Sequence, residues 1–220
     1  CHNPQFAFAD TSAFSIGVNK KPSSRNTPTV MNVLARPLFF WDGRAKTLEE
    51  QALHPIKNPD EMNLSLDEAV KRLNQNEDYV KWLKKFFNAL PDSNNLGEAI
   101  AAFEMTLETA STPFDDWADG NEEAISESAK RGRRLFNEKA GCFDCHFGPD
   151  FTGDEFRNIG LYNGKELNDA GRFLITKDSN DLGSFKVPGL RNVGLTAPYM
   201  HNGMFKSLNE VIRFYNNPDE

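Results

Sequence analysis

"CFDCH", residues 142–146, is the stretch on which the reading of this chain turns. Two cysteines separated by two residues and followed at once by histidine form the C-x-x-C-H signature of covalent c-type haem attachment. The spacing has a mechanical reason. Thiols one helical turn apart reach the two vinyl groups of a porphyrin, and the adjoining imidazole lies under the iron. A redox C-x-x-C pair or part of a zinc site would use the same residue types. Only one further cysteine exists, Cys1, and zinc usually takes four Cys and His ligands. Cys142, Cys145 and His146 therefore read as a haem site.

Working outward, the chain holds three cysteines, at positions 1, 142 and 145, and four histidines, His2, His54, His146 and His201. Two of the histidines directly follow a cysteine, so the opening pair Cys1-His2 repeats the end of the downstream motif. At 220 residues the chain suits one large domain or two small ones. Its formal net charge of −7 argues against nucleic acid as a partner. No apolar run approaches the ~18 residues of a membrane span. Eighteen phenylalanines are many for this length. Aromatic side chains bring much apolar area at little rotamer entropy, which suits a tight helical core or the lining of a large flat cofactor.

The patterning is helical. In "KTLEEQAL" Thr47 precedes Glu50 by three residues, a capping-box pattern. Ser65 is placed to cap "LSLDEAVKRLNQ", and "LGEAIAAFEMTLETA" sets Leu96, Ile100, Phe103 and Leu107 on one helical face, expected in the core. Pro113 and Gly120 in "STPFDDWADGN" (111–121) break the pattern and divide the chain into units 1–111 and 112–220. A helix over "EEAISESAKRGRRLF" then runs towards the haem motif. Its Lys130, Arg131, Arg133 and Arg134 read first as a solvated face and second as contacts for haem propionates or a donor protein. Residues 147–198 are rich in Gly, Pro, Asn and Asp and read as loop, before a last short helix over "SLNEVIRFYN" (207–216). No solenoid-type period is present, but the two CH pairs hint at a two-fold plan.

Three stretches, "FFWDGRAKTLEEQALHPIKNPDEMN" (39–63), "CFDCHFGP" (142–149) and "FKVPGLRNVGLTAPYMHNG" (185–203), resemble the bacterial dihaem cytochrome c peroxidases and their MauG-type relatives. The likeness covers essentially the whole chain in the same order. In that family a first haem motif stands where Cys1-His2 stand, ahead of a segment like "RNTPTVMN" (25–32). The resemblance implies that Cys1 and His2 end a first C-x-x-C-H, whose first cysteine and preceding helix would lie upstream of residue 1. A signal peptide would lie upstream too, and "NNPDE" (216–220) stops short of the family's final helix. It also implies two covalently bound c-type haems. The fold class that goes with them is mainly α: two cytochrome c-like haem domains, the second loop-rich, with the haems facing a shared interface near Trp41.

The family divides the labour between its haems. The N-terminal one binds hydrogen peroxide, and the C-terminal one accepts electrons from an external donor. Cleaving the O–O bond takes two electrons while a c-type donor carries one, so two irons store both. A peroxidatic iron needs an open position and a group that moves a proton between the peroxide oxygens. In the family these roles fall to a Gln and a Glu that match Gln51 and Glu61, with Pro55 between them. Without the resemblance, Glu61 is a solvated loop carboxylate. Trp41 matches a tryptophan lying between the haems, and a core aromatic beside Phe39 and Phe40 is compatible with that role. Many relatives carry a histidine that caps the resting peroxidatic iron. Residues 8–30, "FADTSAFSIGVNKKPSSRNTPTV", have none, and His54 is the nearby alternative. The first haem is therefore expected to be open without reductive activation.

Aligning "YMHNGMFKSLNEVIRFY" (199–215) without gaps puts Tyr215 where the best-known peroxidases have a methionine ligand to the second haem. A tyrosine ligand is what MauG-type proteins carry, where it stabilises ferric iron and supports a two-iron high-valent state that oxidises residues of a partner protein. Met200 and Met204 are the alternative sulfur ligands, and Tyr215 as a helix-end core aromatic is the plain alternative. The family's inter-haem calcium, held by an Asn side chain and backbone carbonyls as suits a hard cation, maps onto Asn26, Thr196 and Pro198. His201, in "HNG", has no role beyond local hydrogen bonding. The leading reading is a periplasmic peroxidase that reduces hydrogen peroxide to water with electrons from a small c-type cytochrome. The periplasm follows because c-type haem is attached outside the bacterial cytoplasm. The alternative is a MauG-like oxidase of a partner protein. A plain dihaem electron carrier leaves Gln51 and Glu61 without a role. A homodimer is one option that the resemblance allows.

Overall fold

Side-chain oxygens set where the helices begin. Thr47 accepts from the Glu50 amide at the head of α1 (Leu48–Lys57), and Ser65 from Glu68 at α2 (Leu66–Asn74). Asn76 caps α3 (Glu77–Phe87), Asp92 α4 (Ser93–Glu104), Thr112 α5 (Pro113–Ala118), Ser126 α6 (Glu127–Asn137) and Ser207 α8 (Leu208–Asn216). Each satisfies an amide that a helix start leaves orphaned. The single turn α7 (Phe173–Thr176), a two-residue antiparallel pair, β1 (Phe156–Arg157) and β2 (Phe185–Lys186), and five three-residue 3-10 turns complete the regular elements among the described residues. The computed structural model describes residues 1–217. The architecture is mostly helical with this one small sheet.

Three expectations change. The helix before the haem motif starts at Glu127 rather than Glu122, because Ser126 supplies the cap and residues 121–125 turn before it. The helix α3, "EDYVKWLKKFF", was not anticipated, although Asn76 is a plain start signal. The buried face of α4 is Gly97 and Ala101, not the large residues. A Cβ on Gly97 would come within 3.0 Å of the Glu49 carbonyl and 3.4 Å of Leu53, so these small residues let α4 lie close against α1. Leu96 and Ile100 flank the contact half-buried, Phe103 is 57 % exposed, and Leu107 lies beyond the helix end. Phe39, Ala45, Leu48 and Ala101 form the core cluster there.

The chain repeats itself at a distance of 160 residues. "RNTPTVMNV" (25–33) matches "FKVPGLRNV" (185–193), and "FFWDGRAKTLEE" (39–50) matches "YMHNGMFKSLNE" (199–210). The backbone repeats with the letters. Phe39 N donates to Ala45 O at 2.9 Å and Tyr199 N to Phe205 O at 2.7 Å. Phe40 and Met200 share a left-handed φ (67° and 72°), as do Asn32 and Asn192 (56° and 61°). Glu50 and Glu210 each reach back to the amide of the lysine four residues earlier, Lys46 and Lys206.

The two copies meet along a seam with reciprocal bonds. Asn26 N donates to His201 O at 2.7 Å, and Lys186 N to Trp41 O at 2.8 Å; exchanging the copies turns one bond into the other. Ionic contacts tie the same seam. Arg25 grips Asp169 with two bonds (2.6 and 2.8 Å) and Asp42 with a third (2.6 Å). Arg36 binds Asp150 and Asp154, and Arg172 donates to the carbonyls of Asp42 and Gly43. Gly43, at φ 67°, is needed where it stands, since a Cβ would lie 2.4 Å from the Phe156 ring.

No large side chain is fully buried among the described residues, and many phenylalanines stay partly open. The accessible surface is 13480 Å², against roughly 10,200 Å² for a compact chain of this mass. Exposed apolar side chains are spread along the chain, and some of them follow the CH pairs in sequence: Phe6, Phe14, Ile16 and Val18 after the first, Phe143 and Phe147 at the second.

Candidate functional site

The two histidines that follow cysteines are held alike. His2 Nδ1 lies 2.9 Å from the Phe8 carbonyl, and His146 Nδ1 lies 2.9 Å from the Phe151 carbonyl. A carbonyl can only accept, so each Nδ1 carries the proton and each Nε2 keeps its lone pair. That is the tautomer an iron ligand requires, with the ring fixed by a backbone partner. Burial pushes the His146 imidazole below its usual pKa, which favours the neutral form further. Sequence reasoning missed the two carbonyls, although both sit five or six residues past a histidine.

At the second pair Cys142–Asp144 form a tight turn, and His146 N closes it on the Cys142 carbonyl at 2.9 Å. Cys142 and Cys145 form no disulfide, and burial is the main cause that pushes both thiols up in pKa. Tyr215 sits in α8. It keeps 54 % of its surface open, yet crowding around the hydroxyl, with the Cys142 and Cys145 thiols acting in the same sense, raises its pKa. The Tyr215 ring packs against Phe214 at 5.3 Å. Met204 accepts from Asn202 at 3.6 Å on the loop before α8, and Met200 is half-buried beside it.

Gln51 lies within α1, and Glu61 lies in the turn that follows the helix. Pro55 inside α1 has no N–H, so the carbonyl of Gln51 loses its helical donor. The chain then folds back: Met62 N donates to Pro55 O at 3.1 Å and Leu64 N to Ile56 O at 2.8 Å, which sets Glu61 beside the end of α1. The loop that follows His2 holds this turn from the other side. Val18 N donates to Glu61 O at 2.7 Å, and Lys21 pairs with Asp60 at 2.9 Å. A Cβ on Gly17 would lie 2.0 Å from the Asp60 carbonyl. Gly17→Ala is therefore expected to push the Glu61 turn away while leaving haem attached, lowering peroxide turnover by roughly 10–100-fold. Steady-state turnover with haem content measured on the same sample checks this.

Pro55 and Tyr215 occupy matching places in the two copies, 160 positions apart on α1 and α8. The ring on α1 offers no donor atom where the ring on α8 offers a phenol oxygen. Trp41 donates its indole N–H to Asn26 O at 2.9 Å and receives Lys186 N on its carbonyl, so it bridges the seam. His54 lies edge-on to Phe40 at 5.4 Å and 3.9 Å from Glu50. His201 stacks on Phe185 at 3.6 Å, and burial lowers it to about 4. Asn26 is buried; its Nδ2 donates to the Ser12 and Ala13 carbonyls, and no bond to Oδ1 is made among the described residues. Its bond to His201 brings it to the segment just past Thr196 and Pro198. Among the described residues no group of three or more His, Cys, Asp or Glu side chains converges to hold a metal ion. Of the α6 cations, Arg131 and Arg134 are exposed, whereas Lys130 is half-buried and pairs with Glu122 and Glu127, so the solvated-face reading fits only part of the cluster.

A family model described as di-haem cytochrome c peroxidase matches residues 1–123, more than half of the 220. The chain belongs to the dihaem cytochrome c peroxidase/MauG family. It is 40 % identical over 217 residues to the methylamine utilization protein MauG of Methylorubrum extorquens, covering 98 % of this chain and 61 % of that one. To the cytochrome c551 peroxidase of Nitrosomonas europaea it is 37 % identical over 215 residues, with 96 % and 64 % covered. A solved MauG-like protein associated with microbial copper homeostasis superposes with a TM-score of 0.89 at 32 % identity, over 98 % of this chain and 69 % of that one. The chain spans 61–64 % of the length of these two curated relatives. Membership of a dihaem family implies haem, and the donor sets present fit it: thiols one turn apart, histidines with Nε2 free, and large open apolar side chains alongside.

Proposed function

We propose that this chain is the two-haem body of a periplasmic c-type peroxidase, which reduces hydrogen peroxide with electrons from a small c-type cytochrome. Residues 1–111 carry the peroxidatic site and residues 112–220 the electron-accepting one. Each turnover takes one peroxide, two electrons and two protons and yields two waters. The haem, when bound, supplies the iron at which the O–O bond is broken. The protein supplies the rest. Glu61 moves the proton between the peroxide oxygens, Gln51 orients the peroxide, and Trp41 links the two halves across the seam. The observation that carries this reading is the turn that sets Glu61 against the end of α1, pinned from outside by Gly17 and Val18 of the loop after His2. Pro55, standing where the other copy has Tyr215, supports a first site that is open at rest. Asn26 Oδ1 with the carbonyls of Thr196 and Pro198 would hold a calcium ion between the sites. Among the described residues no helix is long and apolar enough to cross a membrane.

Tyr215 on α8, standing where the first copy has Pro55, supports a second reading, a MauG-like oxidase that modifies residues of a partner protein. Peroxide-dependent oxidation of a reduced small c-type cytochrome, followed in steady state with full-length haem-loaded protein, separates the two. Fast turnover without prior reduction supports the peroxidase. Negligible turnover, with peroxide still shifting both haem spectra, favours the oxidase. In either case Tyr215→Phe is expected to change the resting absorption spectrum of the second haem; an unchanged spectrum would transfer the ligand role to Met200 or Met204.

A further inference from the structure

Arg133 departs from the other cations of α6. It is half-buried, and its Nη1 is shut off from solvent with no hydrogen-bond partner. Among the described residues it makes no ion pair. Its guanidinium carbon stands over four phenylalanine rings instead: Phe114 at 5.5 Å, Phe136 at 5.4 Å, Phe143 at 5.6 Å and Phe151 at 5.4 Å. Ring faces attract a guanidinium, but they do not neutralise it. Its neighbour Arg191 shares the Phe151 ring at 6.0 Å and differs in being offset by Asp115 and Asp150.

Two of the four rings belong to the second haem motif's own surroundings. Phe143 lies between Cys142 and Cys145, and Phe151 gives the carbonyl that fixes His146. An arginine stays charged under all ordinary conditions. The cage therefore holds a fixed positive charge, without an ion pair among the described residues, beside the Cys142–His146 segment.

We propose that Arg133 sets the reduction potential of the haem held by Cys142, Cys145 and His146, raising it. This rests on the haem reading of that site. Adding one electron to ferric iron removes one unit of positive charge from the centre, so a nearby cation favours the reduced form. Exposed charges are damped by salt beyond about 10 Å at 0.1 M, whereas a charge behind four rings is screened much less. An anionic tyrosine ligand pulls the potential down. Arg133 pushes the other way, and so determines which donors can load this haem.

The test is a spectroelectrochemical titration of full-length haem-loaded protein. Arg133→Gln is expected to lower the midpoint of the C-terminal haem, with a much smaller change at the other haem. The shift should persist from low to high salt. Arg133→Lys should keep the wild-type midpoint, and Arg131→Gln, which removes a solvated charge two residues away, should not move it. Arg133→Met, which preserves the packed stem, serves if the glutamine variant does not accumulate. An unchanged midpoint without the charge, or an equal fall in Arg133→Lys, would overturn the proposal. Wild-type protein with no haem on Cys142 and Cys145 would overturn the site reading, and this inference with it.

Discussion

Glu61→Gln is expected to leave both haems attached and to lower peroxide turnover by about 10²–10⁴-fold, the usual contribution of a positioned proton-transfer group. The structure separates chemistry from architecture at this position. Glu61 is fixed through its backbone: its N–H donates to Asn58 O at 3.1 Å and its carbonyl accepts from Val18 at 2.7 Å. A glutamine side chain leaves both bonds untouched and has nearly the same shape. It cannot take up and release a proton. A stability change is therefore not expected, and the thermal midpoint should match wild type. Gly17→Ala tests the converse, with the carboxylate kept and its platform moved. If Glu61→Gln turns over peroxide as fast as wild type, the proton is carried elsewhere and Glu61 leaves the mechanism.

What the sequence made legible was local. C-x-x-C-H is a contiguous motif, so the expectation of a haem site at Cys142, Cys145 and His146 needs no tertiary structure. Thr47 and Ser65 are single residues acting on amides three positions on, and both cap their helices, but Glu50 does not complete a capping box: its carboxylate takes the Lys46 amide instead of that of Thr47. The face of α4 was misjudged because helical periodicity reports which residues share a side, not which side meets a neighbour. Close approach to α1 favoured Gly97 and Ala101 over Phe103. The 160-residue repeat escaped notice because few of its letters agree, among them Gly43 with Gly203 and Leu48 with Leu208. Its clearest signs, the left-handed backbone at Phe40 and Met200 and the reciprocal seam bonds, are conformational. Likeness to a family located Gln51, Glu61 and Tyr215 along the chain. The strap of Gly17 and Val18 over the Glu61 turn joins residues more than 40 apart and is visible only in three dimensions.

The seam carries the second large effect. Arg25→Ala is expected to destabilise the protein by about 3–5 kcal/mol, the cost of leaving a buried charge without its partner. Arg25 is 12 % exposed, Asp42 6 % and Asp169 24 %, so the three groups are largely withdrawn from water. Asp42 would keep Arg44, which bonds it at 3.0 Å. Asp169 would keep only the Gly171 amide among the described contacts. Burial acts to raise the Asp169 pKa, but the Arg25 hydrogen bonds and charge, helped by Gly171, outweigh it and hold the carboxyl below its usual value. A depressed carboxyl contributes stability that is present above its unfolded pKa and lost as pH falls through the folded one. Wild type should therefore lose this contribution below about pH 4. In Arg25→Ala burial is no longer opposed, so the Asp169 pKa rises and protonation relieves the stranded charge. The gap between the two proteins should be widest near pH 7 and narrow steadily on acidification. Urea midpoints at pH 7 and at pH 5 measure it. A gap that is the same at both values would assign the loss to the guanidinium's packing over Phe185, at 5.5 Å, and not to its charge.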